Sequence, residues 1–239
     1  MPEYVLDHHN EGERQRLALM SRLLDPMHRR HLEQLGVHAG ARTLEVGCGN
    51  GSMSAWLAAR VGPGGRAVAV DLDLSLADAS ASEVEFRQAD VLRGPIEPAD
   101  FDLVTCRAVL HHVADPQAAV ANMVASVRPG GAVLVIEPDF LPVTIAEPAQ
   151  VRAFWDDWLA WSREHGIDYL IGRRLPQLLC GSGLADVGAS AETALYNGGS
   201  LWAAYWRQTV SELRTGLEGS GRVSGAAIEE FLGYCADPA

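Results

Sequence analysis

Hydrophobic and polar positions follow two different periods along the chain. Residues 1–35 place Leu and Met at helical spacing between charged residues, which predicts a helical segment. Pro26 is expected to divide this segment into two helices, because proline lacks the N–H of a helical hydrogen bond. From Ala41 onward, short apolar runs alternate with helical patterns, and Gly and Pro clusters separate them. The second part therefore predicts repeated strand–turn–helix units.

Five apolar runs in this second part predict β-strands. They are ARTLEV, AVAVD, VEFRQAD, FDLVTCR and AVLVIEP. Strands that alternate with helices imply right-handed crossovers and a mainly parallel sheet covered on both faces. We expect a helix and a sixth strand within residues 170–192, and find no seventh strand. The predicted fold class is α/β, doubly wound, with ligands at the carboxyl ends of the strands.

The composition narrows the classes of partner. The 239 residues carry a formal net charge of -12, which argues against nucleic acid or another partner held through phosphates. Acidity that simply maintains solubility explains the charge equally well. The polar N-terminus, the lack of long apolar runs and the spacing of the four cysteines predict a reduced, cytoplasmic protein without a membrane partner. His28, His31 and the pair His8-His9 form no zinc pattern, so we expect surface histidines and no metal.

The segment TLEVGCGNG, residues 43–51, carries the first chemical signal. A dinucleotide-binding turn has the spacing G-x-G-x-x-G, but here the third glycine comes one position early. No Gly-Lys-Ser or Gly-Lys-Thr follows, which excludes a Walker loop. A nicotinamide oxidoreductase is therefore disfavoured, although a cofactor titration would be needed to exclude it.

Three acidic residues lie at or near strand ends behind this loop. S-adenosylmethionine is cationic and has no phosphate, so its site should offer carboxylates rather than lysines. Glu45 could fix the loop or meet the amino group, Asp71 could accept from the ribose hydroxyls, and Asp90 could accept from the adenine amino group. One acid at a strand end is most often a cap or a turn residue, but three in register favour a shared nucleoside site.

Together, EVGCGNG, AVAVD, FRQAD and FDLVTCRAVLHHV resemble the class I S-adenosylmethionine-dependent methyltransferases. The resemblance covers about residues 36–192 and is closest to the small-molecule branch with ubiquinone-type and natural-product enzymes. It implies a Rossmann-like methyltransferase fold. It also implies that the cofactor contacts Gly47, Cys48, Gly49 and Gly51 (methionine part), Asp71 and Leu72 (ribose), Asp90 and Val91 (adenine), Arg107 (near methionine), and a lid containing Tyr4 and residues 13–17.

The expected organisation combines this core with helical additions. The segments are a helical N-terminal lid (1–35), the cofactor-binding core (36–138), a helical cap insertion (139–169), a core continuation (170–192) and a C-terminal helical segment (193–239). Tryptophans at 155, 158, 161, 202 and 206 have helical spacing, which usually indicates burial. Because these helices flank the ligand rim, they also favour a hydrophobic or aromatic small-molecule acceptor.

Candidate bases follow the fourth and fifth strands. His111, His112 and Asp139 are the candidates, since a histidine oriented by a carboxylate can accept a proton near neutral pH. This favours O-methylation slightly over N- or C-methylation, although simple packing explains either histidine. A fold member that binds the cofactor but performs a cyclisation or isomerisation stays open. The absent seventh strand leaves either a bare sheet edge, with possible homodimerisation, or a missing terminal piece.

Overall fold

A five-stranded parallel sheet forms the centre of the computed structural model, which describes residues 11–78 and 80–237. The strands are β1 (Arg42–Val46), β2 (Arg66–Asp71), β3 (Val84–Gln88), β4 (Phe101–Arg107) and β5 (Val127–Ile136). Their spatial order is β3-β2-β1-β4-β5, so the order reverses between β1 and β4. The carboxyl ends of these two strands border the crevice in which doubly wound sheets bind ligands. The predicted α/β fold is confirmed.

Seven α-helices accompany the sheet within the described residues. They are α1 (Glu11–Gln34), α2 (Ser52–Val61), α3 (Pro116–Ser126), α4 (Ala149–Glu164), α5 (Leu175–Cys180), α6 (Leu201–Gly219) and α7 (Gly225–Ala236). Between β2 and β3 the described residues form turns and no helix, which agrees with the short spacing of 90 − 71 = 19 positions between Asp71 and Asp90.

Helices α2 and α3 cover opposite faces of the sheet. Ala67 and Ala69 of β2 belong to the core cluster that contains α2, whereas Val68 and Val70 belong to the cluster that contains α3. Successive side chains of a strand point to opposite faces, so the side chains of β2 pack alternately into the cores on the two faces of the sheet. The continuous apolar strands seen in the sequence are explained by burial on both sides.

Helix α1 continues through Pro26, so the prediction of two separate helices was wrong. The carboxylate of Asp25 accepts hydrogen bonds from Arg107 Nη1 at 2.8 Å and from Ser52 Oγ at 3.3 Å. These bonds hold the middle of α1 against the sheet and the start of α2. Tertiary packing therefore outweighs the single helical hydrogen bond that proline removes.

Helices α4, α6 and α7 form a third, mainly aromatic core. Trp155, Trp158 and Trp161 of α4 are fully buried in it, together with Trp206 of α6 and Phe231 of α7. Helix α6 also packs along α1. Burial thus explains the tryptophan stripe of α4.

The sixth strand predicted within residues 170–192 does not form. Residues 184–196 are described as irregular chain, and their many Ala, Gly and Ser residues have little β-propensity. Glu192 accepts a hydrogen bond from Arg30, which connects this segment to α1. In the described residues β5 is consequently an edge of the sheet. Among those same residues, no helix is both long enough and apolar enough to cross a bilayer.

Candidate functional site

The loop after β1 turns so tightly that its first position accepts only glycine. Gly47 has a φ of 74°, and its N–H donates to the Val70 carbonyl at 2.8 Å. A Cβ at Gly47 would lie 2.2 Å from Cγ2 of Val109, which is a severe clash. Gly49 also has a positive φ, of 53°. Glycine tolerates this backbone, so the main chain itself forms the wall of the crevice.

Asp71 closes this loop from the end of β2. One carboxylate oxygen accepts the N–H of Gly49 at 2.9 Å, and the other accepts the N–H of Leu72 at 2.7 Å. The Asp73 N–H also lies 3.5 Å from the oxygen that binds Leu72. A carboxylate has about four acceptor positions, so Asp71 retains capacity for a ligand. Asp71 and the half-exposed Leu72 line the crevice. The geometry fits a carboxylate that receives two ribose hydroxyls.

Asp90 lines the same crevice and is also a cap. Its Oδ1 accepts the N–H of Leu92 at 2.9 Å at the start of the 3₁₀ turn Val91–Arg93. The capping alternative is therefore correct for Asp90, but capping uses only one oxygen. Val91 is buried beside it and lines the same crevice.

Three residues predicted to contact the cofactor face away from the crevice. Strand alternation directs Glu45 toward α2, where its carboxylate accepts from the Ser54 hydroxyl. Cys48 is buried in the core cluster of α2, and Gly51 lies against the ring of Phe86. Tyr4 lies outside the described residues. The predicted cofactor residues that do line the crevice are Gly47, Gly49, Asp71, Leu72, Asp90, Val91 and Arg107.

Arg107 lies at the end of β4 in a buried ion pair with Asp25 of α1. Both side chains are more than nine-tenths buried, and Nη1 lies 2.8 Å from Oδ1. The pair joins the helical N-terminal segment to the sheet beside the glycine loop. Asp25 was not predicted as a partner. A carboxylate on the apolar face of α1, directly before Pro26, was the signal available in the sequence.

His28 was expected on the surface but is fully buried, and this prediction was wrong. Its Nε2 lies 2.8 Å from the Thr105 hydroxyl of β4, because α1 packs directly on the sheet. Burial, and then the nearby charges of Arg107 and His31, lower the pKa of His28 to about 3. Its imidazole is consequently neutral at physiological pH.

The pKa of the buried Glu45 is shifted in the opposite direction, which gives a testable pH dependence of stability. Burial raises the pKa of Glu45 to about 7, against the lowering effect of Ser54 and Arg107. The folded state thus binds a proton between pH 4.5 and 7 that the unfolded state releases, and stability falls as pH rises there. The low pKa of His28 in the folded state has the reverse effect: between pH 3 and 6.5 the unfolded state binds the extra proton, and stability rises with pH. The two contributions oppose each other around pH 5 to 6.5.

We expect Glu45→Gln to remove the contribution of Glu45 to the pH dependence of stability and to leave that of His28. Between pH 5 and 6.5, the free energy of unfolding of the variant should rise by about 2 kcal/mol more than that of the wild type. Urea unfolding at both pH values measures this difference, and glutamine keeps an acceptor for Ser54. An identical pH dependence in the two proteins would contradict the protonated state of Glu45.

A histidine–carboxylate pair stands where β4 and β5 end. His111 Nδ1 lies 2.7 Å from Glu137 Oε2. The other oxygen of Glu137 accepts the N–H groups of Val109 and Leu110, at 2.8 and 2.7 Å. The side chain of Glu137 is fully buried, and His111 lines the crevice. Glu137 lies at the end of the fifth predicted strand but was not selected as a site residue, since its hydrogen bonds depend on the loop geometry.

Asp139 and His112 differ from this pair. Burial would raise the pKa of Asp139, but hydrogen bonds from Arg173 and from the Leu141 N–H bring it below the usual range. Asp139 is therefore a poor proton acceptor, and the carboxylate that orients a histidine is Glu137. Burial, then the charges of His111 and Arg16, hold the pKa of His112 well below its ordinary value. His112 lines the crevice as a neutral ring.

A cavity of about 2170 Å³ connects the glycine loop with the helical additions. Five rings form what we term the aromatic wall, namely Phe140, Tyr169, Trp202, Tyr205 and Trp206. Their contacts are continuous: centroids are 4.4 Å apart for Phe140 and Tyr169, 5.4 Å for Phe140 and Trp206, and 4.9 Å for Trp206 and Tyr205. His111 contacts Tyr169 at 5.2 Å. Pockets of 300 to 1,000 Å³ usually hold one small ligand, so this cavity has room for two.

The described residues contain no group of three or more His, Cys, Asp or Glu side chains with the arrangement of a metal site. The cysteines at 48, 106, 180 and 235 are all free thiols.

Comparisons with known proteins agree with this geometry. Residues 44–135 match the family described as methyltransferase domain. An uncharacterised 37.1 kDa protein of transposon TN4556 from Streptomyces fradiae is 31% identical over 162 residues, which are 64% of this chain and 46% of that protein. A ubiquinone biosynthesis O-methyltransferase of Coxiella burnetii is 33% identical over 116 residues, which are 46% of this chain and 48% of that enzyme. The chain spans about half the length of these curated relatives.

A solved structure shows the same fold over most of the chain. The phosphoethanolamine N-methyltransferase 2 of Haemonchus contortus, in complex with S-adenosyl-L-methionine, superposes with a TM-score of 0.51 at 18% identity. The alignment covers 92% of this chain and 46% of that one.

Proposed function

We propose that this chain, which belongs to the class I S-adenosylmethionine-dependent methyltransferases as its sequence predicted, transfers a methyl group to a hydroxyl of a small aromatic metabolite. The observation that supports the hydroxyl is the buried His111–Glu137 pair at the junction of the glycine loop and the aromatic wall. Specialised metabolism, a cytoplasmic location and homodimerisation stay predictions.

The crevice suits a cationic nucleoside without phosphate. Gly47 and Gly49 allow close backbone approach, while Asp71 and Asp90 supply carboxylates. Arg107, a cation at the end of β4, is paired with Asp25. When bound, S-adenosylmethionine supplies an electrophilic methyl group on a positively charged sulfur. The acids complement that charge, and the glycine loop departs from the G-x-G-x-x-G spacing with which a helix N-terminus holds a pyrophosphate.

The tautomer of His111 determines its role. Glu137 already accepts three backbone N–H groups through its two oxygens, so we assign it as the acceptor and His111 Nδ1 as the donor in their contact. The Nε2 atom then carries a lone pair and has no partner among the described residues. It can take the proton of an acceptor hydroxyl while the oxygen attacks the methyl carbon and the C–S bond breaks. The positive charge formed on the ring is stabilised by Glu137.

The charges around the cavity disfavour a cationic amine as acceptor. Each carboxylate near the aromatic wall already has a partner: Glu13 pairs with Arg16, Glu137 with His111, and Asp139 with Arg173. An ammonium group would therefore meet only carboxylates that are already paired. A neutral or weakly acidic hydroxyl carries no such penalty.

The test is direct mass analysis of a reaction. Purified full-length protein is incubated with S-adenosylmethionine and a panel of phenols, amines and carbon nucleophiles. We expect a phenol to gain the mass of one methyl substitution while S-adenosylhomocysteine accumulates in equal amount. Methylation confined to amines, or a rearranged product of unchanged mass, would overturn O-methylation.

A further inference from the structure

A buried ion pair of α1 faces the acceptor side of the cavity. Arg16 Nε and Nη2 each donate to the Glu13 carboxylate at 2.6 Å, and both side chains are more than nine-tenths buried. A bidentate arginine–carboxylate pair is rigid. It therefore fixes the direction of Nη1 on the same guanidinium.

That donor reaches a ring of the aromatic wall. Arg16 Nη1 lies 3.1 Å from the hydroxyl oxygen of Tyr205 on α6. A guanidinium has donors and no acceptor, so the oxygen of Tyr205 must accept in this contact. Its own proton then points elsewhere. No described residue accepts it, and Tyr205 lines the cavity.

This hydroxyl and the His111–Glu137 pair belong to one enclosure. The chain of ring contacts from His111 through Tyr169, Phe140 and Trp206 ends at Tyr205. All five side chains line the cavity. An acceptor that fills this space meets a proton acceptor at one end and a hydrogen-bond donor at the other.

We propose that Tyr205, aimed by the Glu13–Arg16 pair, donates a hydrogen bond to a second oxygen of the acceptor. The acceptor class is then a planar aromatic molecule with the methylated hydroxyl on one side and a carbonyl oxygen on another. This inference rests on the proposed function for the role of His111. Tyr205 is a specificity residue, and Glu13 and Arg16 are positioning residues.

Matched probe pairs test the inference without turnover. para- and meta-hydroxyacetophenone are each compared with the ethylphenol of the same substitution, which replaces the ketone by an apolar group of similar size. Dissociation constants are measured by calorimetry on full-length protein saturated with S-adenosylhomocysteine. In the wild type, we expect at least one ketone to bind about tenfold more tightly than its ethylphenol.

Tyr205→Phe removes only the hydroxyl, and it should abolish the ketone preference while ethylphenol affinity is kept. Tyr234→Phe, on the partly exposed face of α7, is the matched control and should retain the preference. The double variant Glu13→Gln/Arg16→Met removes both charges of the pair together, so neither member of the pair is left behind alone. It should weaken the preference several-fold although Tyr205 is intact.

Three results would overturn the inference: a wild type that binds neither ketone or shows no preference, a preference that survives Tyr205→Phe, or a double variant with undiminished preference. Failure of the proposed function is distinguishable. A ketone preference without methyl transfer to any phenol would reject the proposed reaction and leave the recognition intact. Methyl transfer without a ketone preference would reject the recognition by Tyr205 and leave the proposed reaction intact.

Discussion

Replacing Asp71 by alanine is expected to lower the affinity for S-adenosylmethionine at least about a hundredfold. The carboxylate holds the N–H of Gly49 in the first turn and the N–H of Leu72 at the end of β2. Its removal leaves two backbone donors without their acceptor and also removes the proposed acceptor of the ribose hydroxyls. Hydrogen bonds to a charged group contribute about 1.5 to 3 kcal/mol each, so the loss of these contacts is large.

Calorimetric titration with S-adenosylmethionine and S-adenosylhomocysteine measures the effect, with thermal unfolding as a check of the fold. Asp78→Ala is the matched control, because Asp78 is an acid of the same β2–β3 connection whose carboxylate accepts from Ser80 within its own turn, and alanine keeps its backbone bond to Asn50. A second variant, Gly47→Ala, should lose binding for a different reason, the 2.2 Å approach of its Cβ to Val109. Wild-type affinity in Asp71→Ala would remove the central contact of the proposed site.

The sequence predicted the residues whose position depends on the chain nearby. Asp71 and Asp90 end apolar strands, and parallel strands place such ends on one rim. The turn glycines follow from the strand–turn–helix pattern in the same way. Glu45 shows the limit of this reasoning, because one step of strand alternation directs its side chain beneath α2 rather than into the crevice.

The residues that sequence reasoning missed depend on contacts between distant segments. Helix α1 carries Asp25 and His28 to β4, some eighty positions away, and this packing also keeps the helix continuous through Pro26. Glu137 likewise binds a loop that begins 28 positions earlier, at Val109. Local patterns of hydrophobicity carry no information about contacts between distant residues. Buried polar partners are therefore found only once the fold is known.

Replacing His111 by alanine is expected to lower kcat for O-methylation by about a hundredfold to ten-thousandfold, with an unchanged dissociation constant for S-adenosylmethionine. The ring lies on the 3₁₀ turn Leu110–His112 rather than on the glycine loop itself, and its Nδ1 is held by Glu137 at 2.7 Å. Loss of the base leaves the hydroxyl without a proton acceptor. The cofactor contacts proposed for Asp71 and Asp90 do not involve this ring, so the effect should be confined to turnover.

Two variants separate this role from a general structural effect. His38→Ala changes an exposed histidine that bonds only its neighbouring carbonyl, and it should leave kcat unchanged. Asp139→Asn should lower kcat no more than a few-fold, because Arg173 keeps that carboxylate ionised and engaged. Single-turnover measurements with saturating cofactor and phenol give the rate of the chemical step directly. Deprotonation by His111 requires its orientation by Glu137. Full activity in His111→Ala, or a loss of kcat larger than a few-fold in Asp139→Asn, would therefore mean that a group other than the His111–Glu137 pair accepts the proton.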